Sequence, residues 1–113
     1  MPWFMSFEAV PEPVVEVVVE SMTLDTITVS WTPGYSGGES LEQSFVVVYR
    51  LYTDNAPGEW SEEQNVPDGD KSYTVKDLLA DSTYDIQVFS ENDLGRNTNG
   101  QTVQGKTCKY PRD

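Results

Sequence analysis

Residues 26–33 read TITVSWTP, and this stretch indicates the fold class because its apolar and polar residues alternate strictly. Ile27, Val29 and Trp31 fall on one side of an extended chain, while threonines and a serine fall on the other. A period of two is typical of a β-strand with one face on a hydrophobic core and the other in water. The stretch therefore predicts a sheet that carries a tryptophan in its core.

Further strands are predicted where β-branched and aromatic residues cluster between turn residues. The predicted strands cover residues 14–20, 23–31, 45–52, 60–66, 73–78, 84–90 and 101–107. Short strands about ten residues apart, without helical periodicity, predict an all-β fold: a seven-stranded antiparallel sandwich of two sheets, immunoglobulin-like. Alternation assigns these residues to its core: Val17, Val19, Ile27, Val29, Trp31, Phe45, Val47, Tyr49, Tyr73, Val75, Leu78, Tyr84, Ile86 and Val88.

The segment after the first stretch is unusual, because residues 31–40, WTPGYSGGES, contain a proline and three glycines between two predicted strands. A nucleotide-binding loop is excluded, because such a loop leads into a helix and carries a G-x-G-x-x-G or a G-K-S/T motif. Two interpretations remain open. The segment is either a plain connection whose glycines adopt unusual φ angles, or a recognition loop anchored by Tyr35.

Composition excludes several classes of function. The 113 residues suffice for one domain, and a net charge of −12 argues against nucleic acid and anionic membrane surfaces as partners. No apolar run is long enough to span a bilayer, so we expect no direct membrane insertion by this segment. Histidine is absent, which removes the commonest general base, and the single Cys108 cannot form an internal disulfide.

Acidic residues provide the remaining candidates for chemistry. Three carboxylate pairs lie in predicted polar turns: Glu62 with Glu63, Asp68 with Asp70, and Glu91 with Asp93. Acid–base catalysis needs a carboxyl in an apolar pocket, and calcium loops need a spacing of ligands that these turns lack. We therefore predict no catalytic residue, no metal site and no cofactor.

The order of these residues resembles the fibronectin type III family. The matching positions are Trp31 with Pro33, Phe45-Val47-Tyr49-Arg50, Leu78, Tyr84 after Ser82-Thr83, and Asn92 with Gly95. Ala80 departs from the pattern, because the family usually has proline there. The resemblance implies structural core roles for Trp31, Leu78, Tyr49 and Tyr84, with the Tyr84 hydroxyl returning to the backbone of the preceding turn.

The resemblance also implies domain boundaries. Residues 1–12 are expected to be leader or linker, residues 13–107 the fibronectin type III domain, and residues 108–113 a C-terminal linker. A finer resemblance involves the segment Pro33, Gly34, Tyr35, Gly37, Gly38, Gln43 and Phe45. This segment is similar to one in immunoglobulin-superfamily adhesion receptors of the turtle and nephrin kinds.

One surface departs from the family, whose outward residues on the third and sixth strands are mostly polar. Alternation directs Val46, Val48 and Phe89 outward, which predicts a small apolar patch for protein contact. In the alternative interpretation these side chains cover one another, or the next strand folds over them.

The resemblance implies a non-catalytic extracellular module of a single-pass cell-adhesion receptor. Such a module acts as a spacer and a contact surface. Its expected partners are neighbouring immunoglobulin or fibronectin type III domains and a protein on a cell surface. The alternative is an intracellular spacer in a giant muscle or cytoskeletal protein. An accessory module of a carbohydrate-active enzyme would need exposed aromatic residues on a flat face, for which Trp60 and Tyr52 are the candidates.

Overall fold

Two antiparallel sheets make up the computed structural model, which describes residues 8–54 and 57–111. The strands are β1 Val15–Met22, β2 Ile27–Thr32, β3 Ser44–Tyr52, β4 Gln64–Asn65, β5 Ser72–Val75, β6 Thr83–Asn92, β7 Gly95–Arg96 and β8 Gln101–Lys106. One sheet has the order β1-β2-β5. The other has the order β4-β3-β6-β7, with β8 also paired to β6. The predicted all-β sandwich is confirmed.

The core lies between the two sheets and follows the alternation of the sequence. Ile27, Val29 and Trp31 of β2 are buried, and they face the inward side chains of β3 and β6. Phe45 and Val47 lie on β3 opposite Ser90 and Val88 of β6 in the antiparallel register. The ring of Phe45 packs edge-on against that of Trp31, with 5.5 Å between ring centroids. This contact fills the centre of the sandwich.

The turn before β6 contains the tyrosine corner that the resemblance implies. Tyr84 is buried, and the backbone N–H of Leu79 donates a hydrogen bond of 2.9 Å to its hydroxyl. Leu78 is buried beside it, and the partly buried Tyr49 packs edge-on against the Tyr84 ring. The phenol thus joins the core to the backbone of the turn.

Strand β1 departs from simple alternation because it contains a bulge. The pairing with β2 shifts between Val15 and Val18, and Glu16 has a φ of 55°. One extra residue in a strand moves the neighbouring side chain to the opposite face. Strict alternation over residues 14–20 would place Val15 on the inward face with Val17, but the bulge leaves Val15 exposed and Val14 fully buried.

The regions around β4 and β7 also differ from the prediction. The strand predicted over residues 60–66 is reduced to Gln64–Asn65, and the polar turn after β6 contains the short strand β7. Residues 8–12 and Cys108 fall within the predicted linkers, yet both are hydrogen-bonded to the sandwich. Residues 1–7, 112 and 113 of those linkers lie outside the described part of the chain.

Candidate functional site

The outer face of the five-stranded sheet was the first candidate for protein contact. Val46 and Val48 point outward on β3, but they are only 2% and 6% exposed. The prediction that they are exposed is therefore wrong. Val46 lies between Phe89 of β6 and Asn65 of β4 in the register, so cross-strand neighbours on both sides cover it. Phe89 is itself partly buried.

Two arginines form clusters on this outer face, Arg50 on β3 and Arg96 on β7. Arg50 Nε donates a hydrogen bond of 2.9 Å to the buried Asp85, whose other oxygen accepts one from Gln104. The Arg50 guanidinium also stacks on the Trp60 ring, 4.1 Å from its centroid. One face of Trp60 is therefore occupied by a cation, which leaves less of the ring for a sugar or a protein.

Arg96 on β7 forms the second cluster. Its two terminal nitrogens each donate a hydrogen bond of 2.8 Å to one oxygen of Glu63, and its Nε donates one of 2.7 Å to Glu91. Its guanidinium also lies over the Phe89 ring, 5.1 Å from the centroid. The hydrogen bonds from Arg96 lower the pKa of Glu63, and those to Glu63 and Glu91 raise the pKa of Arg96. No pattern in the sequence separates Arg96 from other surface cations.

A second candidate surface lies where residues 8–12 meet the loop between β2 and β3. We call residues 8–12 the N-terminal strap. The N–H of Ala9 donates to the carbonyl of Gly37 at 3.0 Å, and the N–H of Glu12 donates to the carbonyl of Tyr35 at 2.8 Å. The strap therefore pairs with the loop, although the loop lies outside the two sheets.

This pairing explains the glycines of the loop. Gly37 has a φ of 101°, and a Cβ there would collide with the carbonyl oxygen of Ala9 and lie 2.5 Å from Asn92 Nδ2. A Cβ on Gly34 would lie 2.5 Å from the carbonyl oxygen of Pro13. Glycine is needed at both positions because two backbones approach closely. The predicted unusual φ is therefore confirmed at Gly37.

Side chains of β6 and of the segment after β7 hold the strap from the other side. Asn92 Nδ2 donates to the carbonyls of Ala9 and Ser36 at 2.7 and 2.9 Å. Asn97 Nδ2 donates to the carbonyl of Pro11, which is fully buried, at 2.8 Å. Ser90 Oγ donates to the carbonyl of Glu12 at 2.7 Å. Asn92 was matched to the family from the sequence, but its partners lie 83 and 56 residues away and no sequence spacing indicates them.

Large apolar side chains of the strap, of the loop and of the turn between β6 and β7 are exposed at this end of the sandwich. Val10, Tyr35 and Leu94 are 38%, 59% and 53% exposed, and we call them the pole patch. The backbone around Tyr35 is fixed by the strap, and Ser36 Oγ donates to the carbonyl of Gly38 at 2.9 Å. Tyr35 is therefore a large aromatic side chain on an immobilised loop, a combination typical of contact surfaces.

Several acidic residues lie at an open surface near this end of the sandwich. Glu42, Asp68, Glu91 and Asp93 line an open cleft near the strap. Within residues 8–54 and 57–111, no group of three or more His, Cys, Asp or Glu residues is arranged to hold a metal ion. No helix in the same ranges is long and apolar enough to cross a membrane.

Comparison with known proteins agrees with this architecture. The sequence model of the fibronectin type III domain matches residues 11–106. Protein turtle of Drosophila melanogaster is 33% identical over 73 residues, which is 65% of this chain and 5% of the relative. A sidekick homolog of Caenorhabditis briggsae is 30% identical over 108 residues, which is 92% of this chain and 4% of the relative. Cell adhesion molecule DSCAML1 of Gallus gallus is 26% identical and covers 87% of this chain and 5% of the relative.

Solved structures share the fold at low sequence identity. The third fibronectin III domain of human KIAA0343 protein superimposes with a TM-score of 0.77 at 13% identity, covering 99% of this chain and 94% of that one. Domains A168–A170 of titin superimpose with a TM-score of 0.67 at 22% identity, covering 88% of this chain and 32% of the titin chain. The chain thus spans about a twentieth of the length of its sequence relatives, which are cell-adhesion proteins.

Proposed function

The chain belongs to the fibronectin type III family, and on that premise we propose that it is a non-catalytic spacer and contact module of an extracellular cell-adhesion receptor. The adhesion proteins among its relatives support this assignment. The partners we propose are neighbouring immunoglobulin or fibronectin type III domains and a protein on a cell surface. In this proposal the receptor is a single-pass membrane protein.

The observation that carries the spacer role is the fixed course of the chain at both ends of β6. The strap is bonded to Asn92 at the last residue of β6. At the other end, the N–H of Thr107 donates to the carbonyl of Ser82, and that of Cys108 to the carbonyl of Thr23. A strand of 10 residues separates the two ends by roughly 33 Å. Fixed attachment at opposite ends suits a module that sets distance and direction between its neighbours.

The pole patch supports the contact role. Val10 belongs to the strap itself, and a Cβ on Gly95, next to Leu94, would lie 3.4 Å from the Val10 side chain. The strap therefore lies beside Leu94 at this end of the sandwich. We propose that the upstream neighbouring domain packs there, with Tyr35 as the main anchor. Val46 and Val48 have no part in this contact because they are buried.

An extracellular position is proposed in preference to an intracellular one. The titin domains share the fold at 22% identity, which carries no information about location. The adhesion relatives match at up to 33% identity over most of this chain. Surface biotinylation of intact cells expressing the full-length protein would label an extracellular module and would leave an intracellular spacer unlabelled.

A module exchange in the full-length receptor tests the spacer and contact roles together. Deletion of residues 8–111 should weaken adhesion between cells that display the receptor. Replacement by an unrelated fibronectin type III domain should restore spacing but not the specific contact, so recovery should be partial. Full adhesion by the deletion variant would contradict both roles.

Tyr35→Ala isolates the contact role. Tyr52 provides the matched control, because it is 39% exposed and pairs with Thr83 at the opposite end of β6. We expect Tyr35→Ala to reduce adhesion and Tyr52→Ala to leave it unchanged, with both variants displayed at the wild-type level. Equal adhesion by the two variants would remove Tyr35 from the contact.

A further inference from the structure

The segment between β7 and β8 is a bulge in the pairing with β6. The N–H of Asn97 donates to the carbonyl of Ser90 at 3.0 Å, and pairing resumes where Gln101 lies opposite Val88. Phe89 alone therefore faces residues 98–100. Extra residues in one strand leave part of the chain unpaired and turned towards solvent. Asn99 lies in this bulge and is exposed.

The side chains of Phe89 and Gln87 pack closely against the residue after Asn99, which is a glycine. A Cβ on Gly100 would lie 2.7 Å from Phe89 Cε1 and 2.9 Å from Gln87 Cγ. The Phe89 ring therefore occupies the space beside the Gly100 backbone, as aromatic residues do opposite glycines in sheets. The fold thus places an exposed asparagine directly before a glycine whose replacement would require the Phe89 and Gln87 side chains to move.

We propose that Asn99 is a site of spontaneous deamidation. The backbone nitrogen of Gly100 attacks Cγ of Asn99, so that a C–N bond forms and the side-chain nitrogen leaves as ammonia. Water then opens the cyclic imide at one of its two carbonyls and gives either isoaspartate or aspartate. Glycine favours the first step because no side chain hinders its nitrogen and because its backbone adopts a wider range of φ angles than other residues. The reaction consumes water, releases ammonia and needs no oxidant, reductant or enzyme.

The surroundings favour deamidation at Asn99 over deamidation at the other described asparagines. The amides of Asn92 and Asn97 donate hydrogen bonds to strap carbonyls, which hold their side chains away from the following nitrogen. Asn65 lies in β4 opposite Val46 and precedes a β-branched valine, which hinders attack. Within residues 8–54 and 57–111, Asn99 alone precedes glycine, and no hydrogen bond of its side-chain amide is seen.

Deamidation changes the charge and the backbone near the strap. The product carries one more carboxylate in a chain whose net charge is already −12. In the isoaspartyl product the main chain also passes through the side chain of residue 99, so the backbone is longer by one carbon atom. Asn97 Oδ1 accepts a hydrogen bond of 2.8 Å from the N–H of Asn99, so the change occurs beside the residue that holds Pro11.

Peptide mapping tests the proposal directly. Trypsin cleaves after Arg96 and Lys106, so residues 97–106 form one peptide that contains both Asn97 and Asn99. After incubation of the folded chain at mildly alkaline pH, fragmentation should locate a mass gain of about 1 Da at Asn99. We expect this gain to accumulate several-fold faster at Asn99 than at Asn97, Asn92 or Asn65. A rate at Asn99 no higher than that at Asn97 would overturn the proposal.

Asn99→Gln provides the matched variant. It keeps a side-chain amide at an exposed position but disfavours the five-membered ring. Anion-exchange chromatography should show an acidic form that accumulates in the wild-type chain and fails to accumulate in the variant. An acidic form that grows at the same rate in both would contradict the assignment to Asn99. Both readouts are independent of the adhesion role.

Discussion

Gly37→Ala should detach the N-terminal strap at Ala9 while the sandwich stays folded. An alanine held at a left-handed φ costs about 1–2 kcal/mol. Its Cβ would also displace the carbonyl of Ala9, which ends the hydrogen bonds from Ala9 to Gly37 and from Asn92 to Ala9. With about 1 kcal/mol for each bond, the free energy of unfolding should fall by about 3–4 kcal/mol.

Gly69→Ala is the control variant that measures the cost of backbone strain without any loss of strap hydrogen bonds. Gly69 has a φ of 86°, and no atom lies within 4 Å of the position its Cβ would take. Gly69→Ala should therefore cost only the strain, about 1–2 kcal/mol. Urea unfolding should place Gly37→Ala about 2 kcal/mol below Gly69→Ala in stability, the sum of the two lost bonds.

Native-state hydrogen exchange identifies where the loss occurs. The amides of Ala9 and Glu12 should be protected in the wild-type chain and in Gly69→Ala, because both donate to the loop. In Gly37→Ala the amide of Ala9 should exchange as fast as an amide in a free segment, while the bond from Glu12 to Tyr35, which the new Cβ does not touch, keeps the Glu12 amide protected. Equal stability of the two variants, with protection of Ala9 unchanged, would refute the role given to Gly37.

Three further predictions concern the corner, the surface ion pair and the core. Tyr84→Phe should cost about 1–3 kcal/mol in urea unfolding, because the N–H of Leu79 loses its acceptor. The pKa of Glu63 is lowered from its ordinary 4.5 by Arg96, so the pair stabilises the fold above pH 4.5 and this contribution disappears as pH falls through the lower folded-state pKa. Glu63→Gln should remove that part of the acid sensitivity in unfolding curves measured against pH. Ile86→Ala, at a fully buried position, should cost about 2–5 kcal/mol and lower the thermal midpoint.

Each of these variants has a matched control. Tyr35→Phe removes an exposed hydroxyl, Glu62→Gln removes a neighbouring exposed carboxylate, and Leu79→Ala truncates a side chain that is 61% exposed. All three should change stability by less than about 0.5 kcal/mol. If a control variant lost as much stability as the test variant it is matched with, the effect would not depend on the contact named.

The sandwich was predictable because its strands obey strict alternation. Ile27, Val29 and Trp31 could be assigned to the core from the residues alone, since a period of two leaves only one face for the apolar set. The same rule failed at Glu16, where a bulge changes the face of Val15. A bulge depends on pairing with the neighbouring strand, and no local pattern in β1 indicated it.

The exposure of side chains was less predictable than their direction. Val46 and Val48 do point out of the sandwich, but their burial depends on what lies beside them in the sheet. Trp60 lies in a segment with little regular structure, and its ring stacks on Arg50. Such contacts join residues that are distant along the chain, so alternation alone cannot reveal them.

The strap was missed for a similar reason. Residues 8–12 contain Pro11 and resemble a linker, whereas they form hydrogen bonds with Gly37, Asn92 and residues near them. The glycines of the loop were a visible signal of close backbone approach. The sequence did not identify the segment that approaches.

Spin labels at positions 9 and 109 test the spacer proposal most directly. Ala9→Cys and Lys109→Cys, in a chain where Cys108 is replaced by serine, place one label on the strap and one beyond β8. Double electron–electron resonance should give a single narrow distance distribution, centred at roughly 30–40 Å for ends separated by a ten-residue strand. A broad distribution, with no dominant distance, would mean that the strap does not fix the course of the chain and that the module cannot set the direction of its neighbours.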